Sequence, residues 1–395
     1  MPDLHSSTFH LGVNLLHAPY GLTGTGVYAQ QLCWQLVQLP GGPKRITGFC
    51  TKENFGSFNP SRTIKGRERL ELVPWALESK NVSLRRLHEW AFLDSEFPRR
   101  KIDLFWGPSN FLPWRKTCPY VVNIHDMTFF REPQALGTLR RLYWHRWTHR
   151  TVAVADAIIT GTHAAKEDIL RYSAAKPESI TVIPNGTDSR YFLEGKETER
   201  EIVKYQVRDQ YPELPPDYVF FVGTLTVHKN VPRLLEALAM ARKAEDCKDM
   251  ILVMAGKRGF GTEEIDAVIR RHNLGHAVIE LGYTSDAYLP GLYAGARCHI
   301  LPSVTEGFGL PITEAMAAGT PTICGEAGAT GEVGAGAAVL VNPLSVESLA
   351  EALVELWRNE GFREERRALG YARAKQFRWE ATAQALWEVM KHVAV

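Results

Sequence analysis

Two glutamates eight positions apart, Glu306 and Glu314, bracket a glycine-rich turn in the stretch Glu-Gly-Phe-Gly-Leu-Pro-Ile-Thr-Glu. An ionised carboxylate accepts several hydrogen bonds, so it can hold the hydroxyls of a sugar or a ribose. Between the two acids, the amides of Gly307, Phe308 and Gly309 point into the gap. They precede Leu310-Pro311, where proline tolerates the first helical turn. A helix N-terminus with free amides binds an anion such as a diphosphate. The helix is expected to run through Glu314 and Ala315-Met316-Ala317-Ala318, and to stop at Gly319 with Pro321 just beyond. The apolar run His299–Val304 reads as the buried strand that feeds Glu306. A unit that recognises both phosphate and polyol suits a nucleotide sugar.

This element resembles the Glu-x7-Glu motif of retaining glycosyltransferase family 4, and further segments are similar to that family in its own order. They are Gly24-Thr25-Gly26-Val27-Tyr28, Ile124-His125-Asp126, Val182-Ile183-Pro184-Asn185-Gly186-Thr187-Asp188, and Gly223-Thr224-Leu225 with His228-Lys229-Asn230. Gly282-Tyr283-Thr284-Ser285-Asp286 and Pro302-Ser303 complete the run, so the likeness spans nearly the whole chain. The resemblance implies the GT-B fold: two Rossmann-like doubly wound α/β domains facing a cleft, with the last helix crossing back to the first domain. It implies a bacterial mannosyltransferase-like enzyme that moves a hexose from a nucleotide-diphosphate sugar to a glycan or lipid-linked acceptor with retention.

Roles follow residue by residue. The resemblance makes Glu314 the ribose ligand and sets Glu306 against the donor sugar, near the anomeric carbon. Lys229 is expected to meet the diphosphate as a point charge. There it stabilises the charge that builds on the leaving phosphate. Gly223, Thr224, Gly256, Lys257, Gly282, Tyr283, Gly307, Phe308, Gly309 and Leu310 complete the expected donor-binding set, with Gly24 and Gly26 approaching phosphate or sugar from the first domain. His125 follows an apolar strand, at the edge where open α/β sheets bind ligands. It is expected to position the donor sugar, through its ring or its backbone carbonyl.

Each residue also has a plainer reading. Glu306 can be an N-terminal helix acid favoured by the macrodipole, Glu314 a solvated carboxylate, Lys229 a surface lysine, His125 a core histidine, and the Gly24–Gly26 stretch a flexible loop. The sequence departs from the family in one respect. Many relatives pair the lysine with an arginine, but His228 and Thr224 stand there, leaving His228, Lys257 or Arg258 as the second cation. No cofactor and no metal are expected. GDP-mannose is the first donor expected, ahead of UDP-glucose, UDP-N-acetylglucosamine and dTDP-rhamnose. The rivals are a nucleotide-sugar epimerase of the same fold, a non-catalytic partner subunit, and a polyglucan phosphorylase, which needs a cofactor lysine and a much longer chain.

The 395 residues are too many for one ordinary core. Residues 1–195 carry 24 Lys+Arg and 17 Asp+Glu, a balance of +7, whereas 196–395 carry 22 and 27, a balance of −5. The basic half suits an anionic partner. Within it, Arg131–Arg150 holds five arginines, one acid, Tyr143, Trp144 and Trp147, and Arg85, Arg86, Trp90, Phe92 and Phe97 lie upstream. Arginine interleaved with aromatics suits an anionic membrane surface, or else a solvated helix face over ordinary core aromatics. No nucleic-acid motif accompanies it. The six cysteines lack metal-ligand spacing and read as core residues of a reducing compartment. Neither a signal peptide nor a spanning helix is read, so a cytoplasmic location is expected, with peripheral docking at the inner face of the membrane.

Apolar runs alternate with amphipathic stretches, the pattern of parallel sheets covered by helices. Candidate strands are Phe9–Leu16, Ile46–Cys50, Leu70–Val73, Leu104–Trp106, Tyr120–Ile124, Ala157–Thr160 and Ile180–Ile183, then Tyr218–Val222, Ile251–Ala255, Val278–Leu281, His299–Leu301, Pro321–Cys324 and Ala338–Val341. Candidate helices include Val27–Val37, Leu84–Phe97, Leu139–Ala155 and His163–Tyr172, and later Val231–Arg242, Ser345–Asn359 and Trp379–Val393. The N-terminal domain is placed at 1–195, joined by helix 379–395. A charged, proline-bearing linker follows at 196–217, and the C-terminal donor-binding domain at 218–377.

Overall fold

The computed structural model describes residues 9–16, 24–75, 89, 93–131, 138–259 and 261–394. The chain divides into two compact units, Met1–Gly186 with Trp379–Val395, and Thr187–Arg378. Each is a parallel sheet covered by helices.

Among the described residues the first unit holds seven strands: β1 (His10–Asn14), β2 (Arg45–Thr51), β3 (Leu70–Trp75), β4 (Leu104–Gly107), β5 (Tyr120–Asn123), β6 (Ala157–Thr160) and β7 (Ile180–Val182). Their order in the sheet is β3-β2-β1-β4-β5-β6-β7. The central strands β1, β4, β5 and β6 are buried along their whole length, which is why they read as continuous apolar runs. Helix Trp379–Ala394 packs on helix Gly24–Gln38 in this unit. Its Trp387 Nε1 donates to Gly41 O at 3.0 Å, and Thr382 Oγ1 donates to Pro184 O at 2.8 Å. The expected helix Leu84–Phe97 lies mostly outside the described residues; within them, Glu96–Arg100 is helical.

The second unit holds β8 (Val219–Val222), β9 (Leu252–Ala255), β10 (Val278–Gly282), β11 (Cys298–Leu301), β12 (Thr322–Gly325) and β13 (Val339–Val341), ordered β10-β9-β8-β11-β12-β13. The strand order reverses between β8 and β11, the switch point where doubly wound sheets open a crevice for ligands. Helix Val346–Arg358 starts where serine was expected to cap, Ser345 accepting from Ser348 N at 3.1 Å. Residues 197–210 of the segment read as a linker form a helix, Glu197–Gln210, which packs on helix Leu289–Gly295 and belongs to the second unit. Arg200 anchors it, donating to Ala294 O at 3.0 Å and to Ala318 O at 2.6 Å. One arginine capping two helix C-termini suits a helix whose surface is mostly charged.

Candidate active site

The C-terminal ends of four adjacent strands in the second unit build the crevice. Gly223 follows β8, Gly256 follows β9 and Gly282 ends β10, with φ of 152°, 144° and 66°. The loop after β11 reaches Gly309, φ 92°, and then helix Leu310–Ala317. At Gly256 the reason for glycine is steric as well as conformational. A Cβ there would sit 1.9 Å from the Gly223 carbonyl oxygen. The amide of Gly256 donates to Gly282 O at 2.7 Å, so the three strand ends are drawn together by backbone alone. The helix ends as expected: Ala318 is its C-cap and Gly319 follows at φ 75°.

Two catalytic candidates meet at the switch point. Lys229, from the loop after β8, forms an ion pair with Glu306, from the loop after β11, and both side chains are largely buried. The sequence assigns them separate expected partners, diphosphate and sugar; the structure pairs them with each other. The two loops are tied together behind them. Val304 N donates to His228 O at 3.0 Å. Asn230 Nδ2 donates to Pro302 O at 3.1 Å and to Pro343 O at 2.5 Å, and its Oδ1 accepts from Arg233 at 2.8 Å. Asn230 is buried with φ 59°, a left-handed conformation that asparagine tolerates. Its place directly after Lys229 was the available signal for this anchoring role.

Glu314 is half-buried on the first turns of its helix, and Tyr293 Oη donates to its Oε2 at 3.0 Å. Burial pushes its carboxyl up to about 7, against the opposing pull of Tyr293 and Arg190. Arg190 lies 3.6 Å from Asp188 and 3.8 Å from Asp286. Neither Tyr293 nor Arg190 was singled out from sequence, because nothing in their spacing ties them to Glu314.

The remaining donor-side residues divide. Arg258 is removed as a second cation, because its guanidinium forks onto Asp266 at 2.8 Å and grips Glu280 at 2.6 Å. Lys257 Nζ lies 4.7 Å from the ring centroid of Tyr283, a residue 56% exposed. His228 lies beside Thr226, 3.2 Å between Nδ1 and Oγ1. The Phe308 side chain is core, packed edge-on against Phe377 at 5.5 Å, so that residue offers the site only its backbone. Thr224 is exposed, and the Lys229 side chain passes over Gly223. Among the described residues, no cluster of His, Cys, Asp and Glu is arranged to hold a metal.

In the first unit, His125 lies just past β5 and is half-buried. Its Nε2 is 2.8 Å from Pro108 O. A carbonyl only accepts, so Nε2 carries the proton. Burial lowers the ring's pKa, which keeps it neutral near pH 7. The ring sits edge-on over Tyr28 at 4.8 Å. Tyr28 Oη accepts from Asn123 at 2.7 Å, and Asn123 accepts from Trp106 at 2.7 Å. Asp126 accepts from Thr128 N at 2.9 Å, capping the next turn. Gly24 and Gly26 were expected on a loop. They form the first turn of helix Gly24–Gln38, and Gly26 is buried; residues 17–23 before them lie outside the described set.

The aromatic–arginine stretch proves to be core in part. Trp144 is 8% exposed and stacks on Phe129 at 4.3 Å. Trp114 and Leu142 are 43% and 65% exposed, and Arg146 is exposed. Arg85, Arg86, Trp90 and Phe92 lie outside the described residues. No described helix is long and apolar enough to cross a membrane.

Two family models match in tandem: Glycosyltransferase Family 4 over residues 23–191 and Glycosyl transferases group 1 over residues 205–376. The chain is 28% identical over 370 residues to the O-antigen chain mannosyltransferase B of Escherichia coli, covering 91% of this chain and 94% of that one. Among solved structures it superposes on sucrose-phosphate synthase from Thermosynechococcus elongatus with a TM-score of 0.77 at 19% identity, covering 97% and 98% of the two chains. It superposes on WaaG, a glycosyltransferase involved in lipopolysaccharide biosynthesis, with a TM-score of 0.74 at 16% identity, covering 96% and 99%.

Proposed function

Since the chain belongs to the retaining glycosyltransferases of group 1 and family 4, with the GT-B fold, we propose that it transfers mannose from GDP-mannose to a glycan or lipid-linked acceptor of polysaccharide assembly. The observation that carries this reading is the crevice between β8 and β11. It presents one ammonium, Lys229, one carboxylate facing it, Glu306, and a second carboxylate on the adjoining helix, Glu314. Glycine strand ends let a ligand's phosphates approach the backbone there. The similarity to an O-antigen chain mannosyltransferase, over 91% of this chain and 94% of that one, supports the sugar.

In this reading Glu314 takes the ribose hydroxyls and Lys229 leaves Glu306 for the diphosphate. Glu306, so released, faces the donor sugar and stabilises positive charge at the anomeric carbon. Lys229 stabilises the leaving phosphate more in the transition state than in the ground state. The leaving phosphate oxygen takes the acceptor's proton on the same face. His125, neutral with Nε2 engaged, serves as a hydrogen-bonding and positioning group. Titration calorimetry with GDP, UDP and dTDP tests the reading. GDP binding most tightly supports it, and no binding of any diphosphate defeats it. Turnover of donor alone to an epimer would favour the epimerase.

The basic first half also supports weak docking on an anionic bilayer. Arg146, Trp114 and Leu142 are exposed to contribute, whereas Trp144 is not. Each basic residue at such a surface adds about 1 kcal/mol, screened by salt. Co-sedimentation with phosphatidylglycerol vesicles at low and high salt, repeated with Arg140, Arg141 and Arg146 changed to Ala, tests it.

A further inference from the structure

Tyr293 sits on helix Leu289–Gly295 and has no exposed surface. Three rings lock it: Tyr191 at 5.8 Å, Phe220 at 5.1 Å and His299 at 5.4 Å, all edge-on. Its backbone is held as well, with Thr320 Oγ1 donating to Tyr293 O at 2.6 Å. The ring therefore has one orientation, and its hydroxyl makes one bond, to Glu314 Oε2 at 3.0 Å. A phenol held this way binds the charged carboxylate better than the neutral acid, because only the anion accepts with full strength.

We propose that Tyr293 is a positioning residue for donor binding: it holds Oε2 of Glu314 so that Oε1, as an anion, is presented to the ribose hydroxyls. This rests on the donor-binding reading of Glu314 given above. The consequence is a specific pH dependence. Nucleotide affinity follows the ionisation of Glu314, and Tyr293 sets where that ionisation falls.

The surroundings of Glu314 fix the direction. From the segment after Gly186 come Arg190, which favours the anion, and Asp188, which opposes it; from the loop after β10 comes Asp286, which also opposes it. Tyr191, from the same segment as Arg190, and Tyr293 are themselves held as neutral phenols by burial. His299 of β11 is neutral, burial driving it down to about 3. On the packed helix Glu360–Ala374, Arg367 is engaged with Gly319 O and Tyr371 with Arg200, and on helix Gly328–Gly334 the Glu332 carbonyl is held by Arg373. With burial pushing the Glu314 carboxyl up to about 7, the Tyr293 bond acts where a small shift changes the charge at working pH.

The test is GDP affinity from pH 6 to 9 by calorimetry, with UDP as a second probe, for wild type, Tyr293→Phe and Glu314→Gln. The probe's own terminal phosphate titrates near ~6, and Glu314→Gln carries that contribution alone. Tyr293→Phe keeps the ring and deletes the donor. Its affinity midpoint should move up by about one pH unit, the scale of one hydrogen bond to a charged group. Affinity should fall about ten-fold near pH 6.5 and recover to the wild-type value at pH 9. A loss equal at every pH, or no change, overturns the role of Tyr293 while leaving Glu314 in place. Wild-type affinity in Glu314→Gln overturns the ribose role itself, and the inference with it. A second variant, 3-fluorotyrosine at position 293, is a stronger donor that preserves packing, and it must move the midpoint down.

Discussion

The ammonium of Lys229 rests on the carboxylate of Glu306, 77 positions away in the chain, at the point where the strand order of the second sheet reverses. Both side chains are largely buried. On the proposed reading, a diphosphate that takes Lys229 competes with the Glu306 carboxylate for the same ammonium.

Breaking the pair from one side leaves a buried charge without its partner, a loss of about 3–5 kcal/mol for pairs of this kind. Lys229→Met and Glu306→Leu should each lower the stability of the second unit, and Lys229→Met/Glu306→Leu should recover much of the loss. Chemical denaturation of the four proteins measures this. Additive losses would show that the two groups do not depend on each other.

The two glutamates should fail differently. Glu314→Ala loses hydrogen bonds to a charged group, about 1.5–3 kcal/mol, so GDP affinity should drop roughly ten- to hundred-fold. Glu306→Ala should bind bare GDP at least as well as wild type, because Lys229 is released, yet turn over slowly. His125→Ala should behave like Glu306→Ala in turnover. Parallel calorimetry and initial rates check this, and equal losses of GDP affinity in both glutamate variants would show the roles are not separate.

All thirteen strands among the described residues were legible from sequence, because parallel strands covered by helices appear as short apolar runs closed by glycine or polar turns. Helix 197–210 was not legible. Its buried contribution is a single residue, Val207, so it reads as charged linker. The candidate site residues stood out by type and spacing, but the side chains they pair with did not. Arg258 looked available until Asp266 and Glu280 closed on it from other elements. The Lys229–Glu306 pair depends on two loops that only the crossing of the sheet brings together.

The pH dependence of folding has a definite sign at Glu314. Its carboxyl rises from an ordinary 4.5 to about 7 on folding, chiefly through burial. The unfolded chain releases this proton first, so the group subtracts stability progressively as pH rises from about 4.5 to about 7, and fully above. Glu314→Gln should therefore gain stability relative to wild type between pH 5 and pH 8. Thermal melts of both proteins across that range measure it, and a constant difference would contradict the shift.

Turnover should persist in EDTA. On the proposed reading, Lys229 and the amides at the start of helix Leu310–Ala317 supply the positive charge a diphosphate needs. Activity lost in EDTA and restored by Mn²⁺ would show that a cation is required as well.

The most direct measurement follows nucleoside diphosphate release and the anomeric configuration of the sugar by proton NMR. The wild type and Lys229→Ala are given GDP-mannose, and then UDP-glucose, UDP-N-acetylglucosamine and dTDP-rhamnose. The wild type should release GDP from GDP-mannose fastest and deliver mannose in the configuration it had in the donor, while Lys229→Ala should release almost none. No release from any of the four donors, or equal release by the variant, would contradict the assignment of this crevice as the site of glycosyl transfer.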